Sequence, residues 1–405
     1  PRGAVERSWA PILEQPEQPE QPEQPEQRSD VVAAIDRILV VGGGIGGLCL
    51  ATALHRQGFT PELVERSPAW PAVGAGIALH ANGVRVLRGL GLGEAIDRAT
   101  AVLPRWTFLD QRGEPLCETD LEALWGEVGP CLGITRVRLQ EILLDGAAAV
   151  PHRLGVAVTA LREGERVEVG FGDGSWSDYD LVVGADGIYS TVRSLAVSPA
   201  EPDYAGTMAW RSVVPTRPPG VDGLMVLMGE GCFFGLVPVG DGQTYGFAGL
   251  DSERFDDPPA GRLERFRARF AGFGGPVPAY LEALERDQQL HTGPIEWVDL
   301  DRWHQGRVVL IGDAAHAAPP HMGEGGSMAM EDAVVLAEEL RAAPTVEAAL
   351  ERYERRRRPR ADWVQEQSRI AAKAWVLPPE VRNDALRGRG DQMLRERYQP
   401  LIAAL

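Results

Sequence analysis

The sequence predicts an α/β fold, in which a parallel sheet covered by helices carries an inserted antiparallel sheet and C-terminal helices. Three patterns predict it. Buried apolar strands that end in glycine-rich turns and lead into helices begin near residues 38, 181 and 307. Short alternating strands separated by glycine turns occupy residues 206–249. Helical stretches follow from residue 327 onwards.

The first strand and its glycine-rich turn predict a dinucleotide site. Ile38 to Val41 is a β-branched run typical of a buried parallel strand, and it leads into Gly42-x-Gly44-x-x-Gly47. Gly42 permits a tight turn, Gly44 lets backbone approach a pyrophosphate, and Gly47 lets the next helix pack closely on the strand. That helix N-terminus offers unpaired N–H groups to phosphates. The arrangement predicts a Rossmann-like domain.

An acidic residue at the end of the next strand completes the pattern. A helical stretch from Leu48 to Gln57 is followed by a strand that ends on Glu65. Glu65 lies about 20 residues after the glycines, where a carboxylate accepts hydrogen bonds from ribose hydroxyls. A lone glycine motif is weak in a chain with 47 glycines. Strand, glycines, helix, strand and acid in this order are a specific signal.

Two later corners extend the predicted site. The strand Leu181 to Val183 runs into a turn that contains Asp186, and a strand beginning near residue 307 ends in Gly312-Asp313. Ligands bind at the carboxyl ends of strands in such sheets. Residues 323–326 then open a long helix, predicted from Ser327 to Leu340, with its positive end at the same edge. Each corner alone fits an ordinary turn, but together they predict a ligand longer than a mononucleotide.

Composition disfavours several classes of partner. A net charge of −17 argues against nucleic acid or an anionic membrane. The four cysteines have no CxxC or metal-ligand spacing, so we expect reduced thiols, no metal and a cytoplasmic protein. The glycines within the uncharged run of residues 38–54 make a membrane span a poor explanation for it. The Gln-Pro-Glu repeats predict a disordered tail over residues 1–33.

Taken together, the motifs resemble those of the single-component FAD-dependent aromatic hydroxylases, which include 4-hydroxybenzoate, salicylate, urate and quinolone hydroxylases. Zeaxanthin epoxidases are similar. The shared motifs are the glycine fingerprint, Gly-Ala-Asp186-Gly187, and a Gly312-Asp313 motif that continues to Glu331-Asp332-Ala333. The resemblance covers residues 37–360. It implies a FAD-binding domain of residues 34–79, 132–200 and 298–342, a substrate domain of residues 80–131 and 201–297, and C-terminal helices over residues 343–405.

The resemblance implies non-covalent FAD, with NAD(P)H as a transient electron donor. In this group Glu65 would bind the adenosine ribose, Arg136 the phosphates and ribityl chain, and Asp313 the ribityl hydroxyls, with Asp186 near the pyrophosphate. The residues that we expect to contact FAD are Gly42, Gly44, Ile45, Gly46, Gly47, Glu65, Arg66, Gly76, Ile77, Arg136, Asp186, Gly187, Gly312, Asp313, Pro320, Gly323, Gly325 and Gly326.

One residue departs from the family pattern. The family usually has Gln where this chain has Glu324, between Gly323 and Gly325. A carboxylate beside the flavin would disfavour the anionic reduced form unless it points to solvent. A second expectation concerns Arg355 to Arg358, which we interpret as a solvated basic face of a helix that ends at Pro359.

The strands after residue 206 are expected to roof the flavin and form the substrate cavity. Alternation places Phe234 and Leu236 on one face and Phe233 on the other, and the sequence leaves open which face is inward. The candidate pocket residues are Trp210, Phe233, Phe234, Leu236, Pro238 and Phe247. The candidate catalytic residues are His80, His321, Tyr245 and Arg211. Either histidine could take a phenol proton near neutral pH, although each could equally be a hydrogen-bonded loop residue.

The expected activity is hydroxylation of an aromatic or polycyclic small molecule with NAD(P)H and O₂, through a flavin C4a-hydroperoxide. An alkene epoxidase and a flavin-bound protein that shields a pathway intermediate remain as alternatives. The absence of a second glycine fingerprint disfavours disulfide reductases and Baeyer–Villiger oxygenases. Phe233 stands where the urate enzymes have an arginine, so we expect a neutral substrate unless Arg211 points inward. NADH versus NADPH and the oligomeric state stay open.

Overall fold

A computed structural model describes residues 35–70 and 75–405, so the predicted Gln-Pro-Glu tail lies outside the described residues. The strands are β1 (Ile38–Val41), β2 (Pro61–Glu65), β3 (Gly76–Leu79), β4 (Ala101–Val102), β5 (Arg105–Asp110), β6 (Pro115–Asp120), β7 (Leu132–Thr135), β8 (His152–Leu154), β9 (Val158–Glu163), β10 (Val167–Phe171), β11 (Trp176–Tyr179), β12 (Leu181–Gly184), β13 (Asp203–Val214), β14 (Leu224–Met228), β15 (Cys232–Pro238), β16 (Thr244–Asp251), β17 (His291–Trp297), β18 (His304–Gln305) and β19 (Val308–Leu310).

The α-helices follow the same chain order. They are α1 (Ile45–Arg56), α2 (Ala81–Gly89), α3 (Gly93–Ala99), α4 (Leu121–Trp125), α5 (Arg136–Gly146), α6 (Arg262–Phe270), α7 (Val277–Glu282), α8 (Asp313–His316), α9 (Gly325–Ala342), α10 (Val346–Trp375) and α11 (Pro379–Ile402). Among the described residues, no helix has the combination of length and apolar character needed to cross a membrane.

The first sheet has the order β18-β19-β12-β1-β2-β8, and all its pairings except β18 with β19 are parallel. Every residue of β1 and β12 is buried, as expected for strands covered by helices on both faces. The chain leaves β1 toward β2 on one side and returns through β12 on the other. This reversal of strand order opens a crevice at the carboxyl ends of β1 and β12.

A second sheet has seven strands in the order β17-β13-β16-β15-β14-β5-β6 and is antiparallel apart from β14 with β5. It draws on two separate segments, residues 105–120 and 203–297. Apolar layers cover both of its faces. One face packs on α6 and α7, and the other faces β3 and the C-terminal helices. The sheet therefore stands between two cores.

The C-terminal region corrects one expectation. Pro359 does not end its helix, because α10 continues through it to Trp375. Nor is the arginine run solvated throughout: Arg357 is only 1% exposed and forms ion pairs with Glu331 at 2.7 Å and Asp332 at 2.8 Å. These buried pairs fix α10 against α9 on the N-terminal side of the proline, and Arg360 pairs with Glu331 immediately after it.

Candidate active site

The glycine fingerprint has the geometry that its spacing predicts. A Cβ at Gly47 would lie 1.9 Å from the carbonyl oxygen of Gly42, so only glycine permits this approach of α1 to β1. Gly42 has φ +109 and would clash with Ala185 at the end of β12. By contrast, a Cβ at Gly44 would meet no atom of residues 35–70 and 75–405 within 4 Å. The backbone at Gly44 therefore borders open space at the N-terminus of α1.

Two cavities border Glu65 and Gly44. One of about 350 Å³ reaches Arg136 and Ile45, and another of about 270 Å³ reaches Arg66 and the residues after β12. The carboxylate of Glu65 accepts backbone N–H hydrogen bonds from Gly43 and Ser67, both at 2.8 Å. These bonds hold the acid at the end of β2 against the glycine turn. Together the two cavities form an elongated space along the crevice, in which a long ligand can lie.

Asp186 lines the second cavity, but its carboxylate has a local structural role. It accepts hydrogen bonds from the hydroxyl of Ser190 and from the backbone N–H groups of Thr191 at 2.8 Å and Val192 at 3.1 Å. Burial raises the pKa of Asp186, and these hydrogen bonds oppose the rise. Asp186 therefore caps the turn after β12, which also contains Gly187 at φ +80. The motif shapes one wall of the crevice.

Asp313 is different, because its carboxylate is exposed and has no hydrogen-bond or ion-pair partner within the described ranges 35–70 and 75–405. Gly312 before it has φ +59 and donates its N–H to Asp332 at 2.8 Å. An Asp313 oxygen lies 3.6 Å from the position of a Cβ at Gly325, at the start of α9. A free carboxylate at a strand end and beside a helix N-terminus suits ligand hydroxyl groups.

The remaining predicted cofactor residues lie where α1, α9, β3 and the loop after α8 meet. A Cβ at Gly326 would lie 3.0 Å from the side chain of Ile77, and one at Gly46 would lie 3.3 Å from Ala329 of α9. Gly76 faces the side chain of Tyr245, whose Cβ would lie 2.4 Å from a Cβ at Gly76. Pro320 is exposed at the start of the loop that leads to Gly323. The FAD-side loops and the second sheet therefore meet at β3.

The second sheet has one face toward this meeting point. Phe233 and Tyr245 are buried there with Met322 and Trp375, and Phe247 packs against the same cluster. Trp210, Phe234 and Leu236 lie on the opposite face, buried against α6 and α7. The expectation that these three line the pocket is therefore wrong, because strand alternation points them into a separate core. The carbonyl group of Pro238 abuts Gly133 of β7.

Arg211 lies on the same face as Tyr245 and Phe247, since it alternates with Trp210 and is paired with Phe247 across β13 and β16. The guanidinium is half-buried and has no carboxylate within 4.0 Å among the described residues. Burial raises the pKa of Tyr245, while Arg211 and Arg136 oppose that rise. We expected a neutral substrate unless Arg211 points inward. Strand alternation does point Arg211 inward.

His80 and Glu324 form a buried pair. His80 Nδ1 lies 2.7 Å from Glu324 Oε1, with side-chain exposures of 1% and 0%. The other Glu324 oxygen accepts from Asn82 at 3.0 Å, and the same amide reaches Glu331 at 3.0 Å. The rings of Trp106, Trp125 and Tyr398 surround His80. These contacts enclose the side chain of His80, so it is not presented to a substrate. The carboxylate of Glu324 points inward rather than to solvent.

His321 occupies a different environment from His80. Its ring is edge-on to Trp375 at 4.7 Å and to Phe233 at 5.8 Å, and its buried Nδ1 has no hydrogen-bond partner in the part of the chain that the structure describes. Burial, assisted by the charge of Arg397, lowers the pKa of His321 to about 3. His321 is therefore neutral at neutral pH, which makes it a poor proton acceptor from a phenol but a good hydrogen-bonding group.

Two features of the site were not predicted from the sequence. Trp375 lies in the predicted C-terminal helices, and no local sequence pattern relates it to Phe233. The His80–Glu324 pair joins residues from distant segments, and the single clue was the acidic residue in a glycine-rich loop. A further histidine, His316, is held by Asp332 at 2.6 Å, which gives it a structural role.

Comparison with known proteins identifies the family. A family model described as "FAD binding domain" matches residues 36–368. The chain belongs to this family. It is 39% identical over 330 residues to an aurachin C monooxygenase/isomerase of Stigmatella aurantiaca, covering 80% of this chain and 86% of that protein. It is 30% identical over 393 residues to a 2-heptyl-3-hydroxy-4(1H)-quinolone synthase of Pseudomonas aeruginosa, covering 91% and 98%.

The fold agrees with this membership. A crystal structure of Klebsiella pneumoniae HpxO complexed with FAD and uric acid has a TM-score of 0.79 and 30% identity, covering 90% of this chain and 94% of that one. The chain is a FAD-dependent monooxygenase of the single-component aromatic hydroxylase type. The predicted α/β class with multiple sheets and C-terminal helices is confirmed, as is FAD as the cofactor.

Proposed function

We propose that this FAD-dependent monooxygenase uses NAD(P)H and O₂ to hydroxylate an aromatic or polycyclic small molecule that presents an electronegative oxygen to Arg211. The observation that carries the proposal is the inward-facing, carboxylate-free guanidinium of Arg211 beside Tyr245. It lies on the sheet face that meets the FAD-side loops at Gly76. An unpaired cation in such a position favours a ligand acceptor.

The described residues fit FAD. The open backbone at Gly44 and the N-terminus of α1 suit a pyrophosphate. Glu65 and Arg136 border the larger crevice cavity, where they would hold the adenosine ribose and the phosphates. The exposed carboxylate of Asp313 would accept from ribityl hydroxyls. Bound FAD supplies the redox chemistry and oxygen transfer, while the chain binds, orients and excludes water.

The chain's own residues would orient the aromatic ring. Phe233 and Phe247 present apolar rings on the sheet face, 6.2 Å apart, and Arg211 and Tyr245 offer donors next to them. A carbonyl, phenolate or carboxylate oxygen of the substrate would accept from that pair. His321, neutral at neutral pH because burial lowers its pKa to about 3, would hydrogen-bond a ring hydroxyl or ring N–H rather than remove its proton.

Relatives give the proposal chemical support. Their names specify aurachin C, a 4(1H)-quinolone and, in the solved complex, uric acid. The quinolone and uric acid are planar rings that carry both oxygen acceptors and ring N–H donors. The aromatic lining and the Arg211–Tyr245 pair of this chain suit that combination. The neutral aromatic substrate that the sequence predicted suits this site when it carries an acceptor oxygen, as a quinolone does.

The proposal is tested with purified holoprotein. Acid precipitation should release about one FAD per chain, because no covalent link is expected. NAD(P)H oxidation is then followed with 4-hydroxybenzoate, salicylate, urate, 4(1H)-quinolone and 2-heptyl-4(1H)-quinolone, and hydroxylated product is measured. Stimulated oxidation coupled to product supports the proposal. Epoxide formation from an alkene, or tight binding with no stimulated oxidation, would replace it with one of the two alternatives.

A further inference from the structure

A row of aromatic rings crosses the flavin-side face of the second sheet and ends on the C-terminal helices. Tyr245 and Phe247 are 5.7 Å apart, and Phe247 and Phe233 are 6.2 Å apart. Phe233 then meets Trp375, the last residue of α10, edge-on at 4.9 Å. Three of these rings belong to β15 and β16, but the fourth comes from a helix outside the sheet. Trp375 therefore forms a wall at one end of the row.

Two buried polar anchors fix this wall. Arg382 of α11 donates to the carbonyl of Trp375 at 3.0 Å and to those of Met228 and Gly229 at 3.1 and 2.7 Å. This ties the α10–α11 corner to the β14–β15 edge. Tyr398 donates to the carbonyl of Met322 at 2.6 Å, tying α11 to the loop of His321. Trp375 is therefore held in place relative to both the sheet and the flavin loop.

The contact between Trp375 and His321 contains an unsatisfied polar atom. His321 is 5% exposed, and its Nδ1 has no partner. Leaving a buried nitrogen unpaired costs about 1–3 kcal/mol, which packing of a structural core would ordinarily avoid. A hydroxyl or ring N–H of a ligand bound beside Trp375 and Phe233 would satisfy it. This second observation, next to the aromatic row, points to a ligand.

We propose that Trp375 contacts the substrate and forms the end wall of its pocket, so that the C-terminal helices determine how large a ring substituent is accepted. This inference rests on the proposed function. Phe233 and Trp375, in edge-on contact, together form one side of the pocket, His321 pairs with the hydroxyl or N–H group of the substrate, and Arg382 is a positioning residue that holds Trp375 through its carbonyl. The substrate is a planar aromatic whose substituent length is limited at Trp375.

The test uses two probes that differ only in a heptyl substituent, 4(1H)-quinolone and 2-heptyl-4(1H)-quinolone. Dissociation constants are taken from the change in flavin absorbance on titration of holoprotein. In Trp375→Ala the ratio of affinities should shift toward the heptyl compound by about tenfold, because removing the indole lengthens the pocket. Trp375→Phe should give a smaller shift. Arg382→Gln should move the ratio in the same direction with FAD content unchanged, and Arg382→Lys should restore it partly.

Trp363→Ala is the matched control. Trp363 is a half-buried tryptophan of the same helix, whose ring N–H bonds to the carbonyl of Arg397 at 3.0 Å, and its loss should leave the ratio unchanged. A shift below twofold in Trp375→Ala, or an equal shift in Trp363→Ala, overturns the inference while the monooxygenase activity stands.

If neither probe binds the wild-type holoprotein, the substrate class under the proposed function is wrong, and a second arm decides the inference. Indole is titrated into Trp375→Gly and Trp363→Gly holoproteins. A flavin absorbance change in the first alone supports a flavin-side cavity at Trp375. No change in Trp375→Gly, or the same change in both, overturns it.

Discussion

The cofactor side and the substrate side of this enzyme depend on different kinds of contact. On the cofactor side, the decisive contacts join residues close in sequence, such as Gly47 with Gly42 and Asp186 with Thr191. On the substrate side, Phe233 of the inserted sheet meets Trp375 of a C-terminal helix. Turns after strands thus specify the first region, whereas docking of distant elements specifies the second. Substitutions on the cofactor side should therefore change folding or FAD binding, whereas substitutions on the substrate side should change substrate binding and spare FAD.

The largest effect is expected for Gly47→Ala, on the cofactor side. The new methyl would lie 1.9 Å from the carbonyl oxygen of Gly42, and forcing α1 away from β1 should cost on the order of 3 kcal/mol or more. Gly44→Ala is the control, since nothing lies within 4 Å and φ is −79. The thermal unfolding temperature of the apoprotein should drop sharply for Gly47→Ala and little for Gly44→Ala. Gly44→Ala should instead bind FAD more weakly. Equal unfolding temperatures would contradict the close-packing argument.

Asp313→Ala should next reduce FAD affinity without unfolding the chain. The carboxylate is exposed and makes no hydrogen bond or ion pair among residues 35–70 and 75–405, so its loss should mainly remove ligand hydrogen bonds. The expected cost is about 1.5–3 kcal/mol, or roughly ten- to a hundredfold in the dissociation constant for FAD. Fluorescence titration of apoprotein measures it, with Asp301→Ala as an exposed control. Unchanged affinity would make Asp313 a turn residue only.

Arg211→Ala tests the substrate side, and its effect should spare FAD. Loss of one charged donor should weaken binding of an oxygen-bearing aromatic by about ten- to a hundredfold, with FAD content unchanged. Arg112→Ala, at an exposed turn, is the control. KM for the active compound in the NAD(P)H assay is the measurement. A coupled substrate that has no acceptor oxygen, or one whose KM is insensitive to Arg211→Ala, would contradict this role of Arg211.

The smallest effect concerns acid stability. Burial lowers the pKa of His321 from 6.5 to about 3 in the folded state, so between these values the unfolded chain binds the extra proton. The free energy of unfolding should therefore fall as pH drops below 6.5, by about 2 kcal/mol at pH 5 from this residue. Denaturant unfolding of His321→Leu should show a shallower decline between pH 6.5 and 5 than wild type, while exposed His152→Gln should not. Parallel curves for His321→Leu would argue against a neutral buried ring.

The sequence predicted most of the fold and the cofactor side, because glycine geometry and strand ends are local properties. It could not choose between the faces of β15, since Phe233 and Phe234 are both apolar and both faces of the sheet are covered. It also placed Arg357 in solvent, because a run of arginines does not indicate that Glu331 and Asp332 of α9 pair with one of them. His80 was offered as catalytic for a similar reason: its partner Glu324 is distant in sequence.

The ion pairs of Arg357 limit how this enzyme can diversify. The C-terminal segment that carries Trp375 also supplies the cations for Glu331 and Asp332 of α9, and Asp332 in turn fixes the backbone of Gly312. A recombination event that replaced residues 343–405 would remove the arginine partners of these two buried carboxylates, and among the described residues only His316 would still pair with Asp332. Under the proposed role of Trp375, single substitutions around the α10–α11 corner would change the accepted substituent while keeping both arginine pairs.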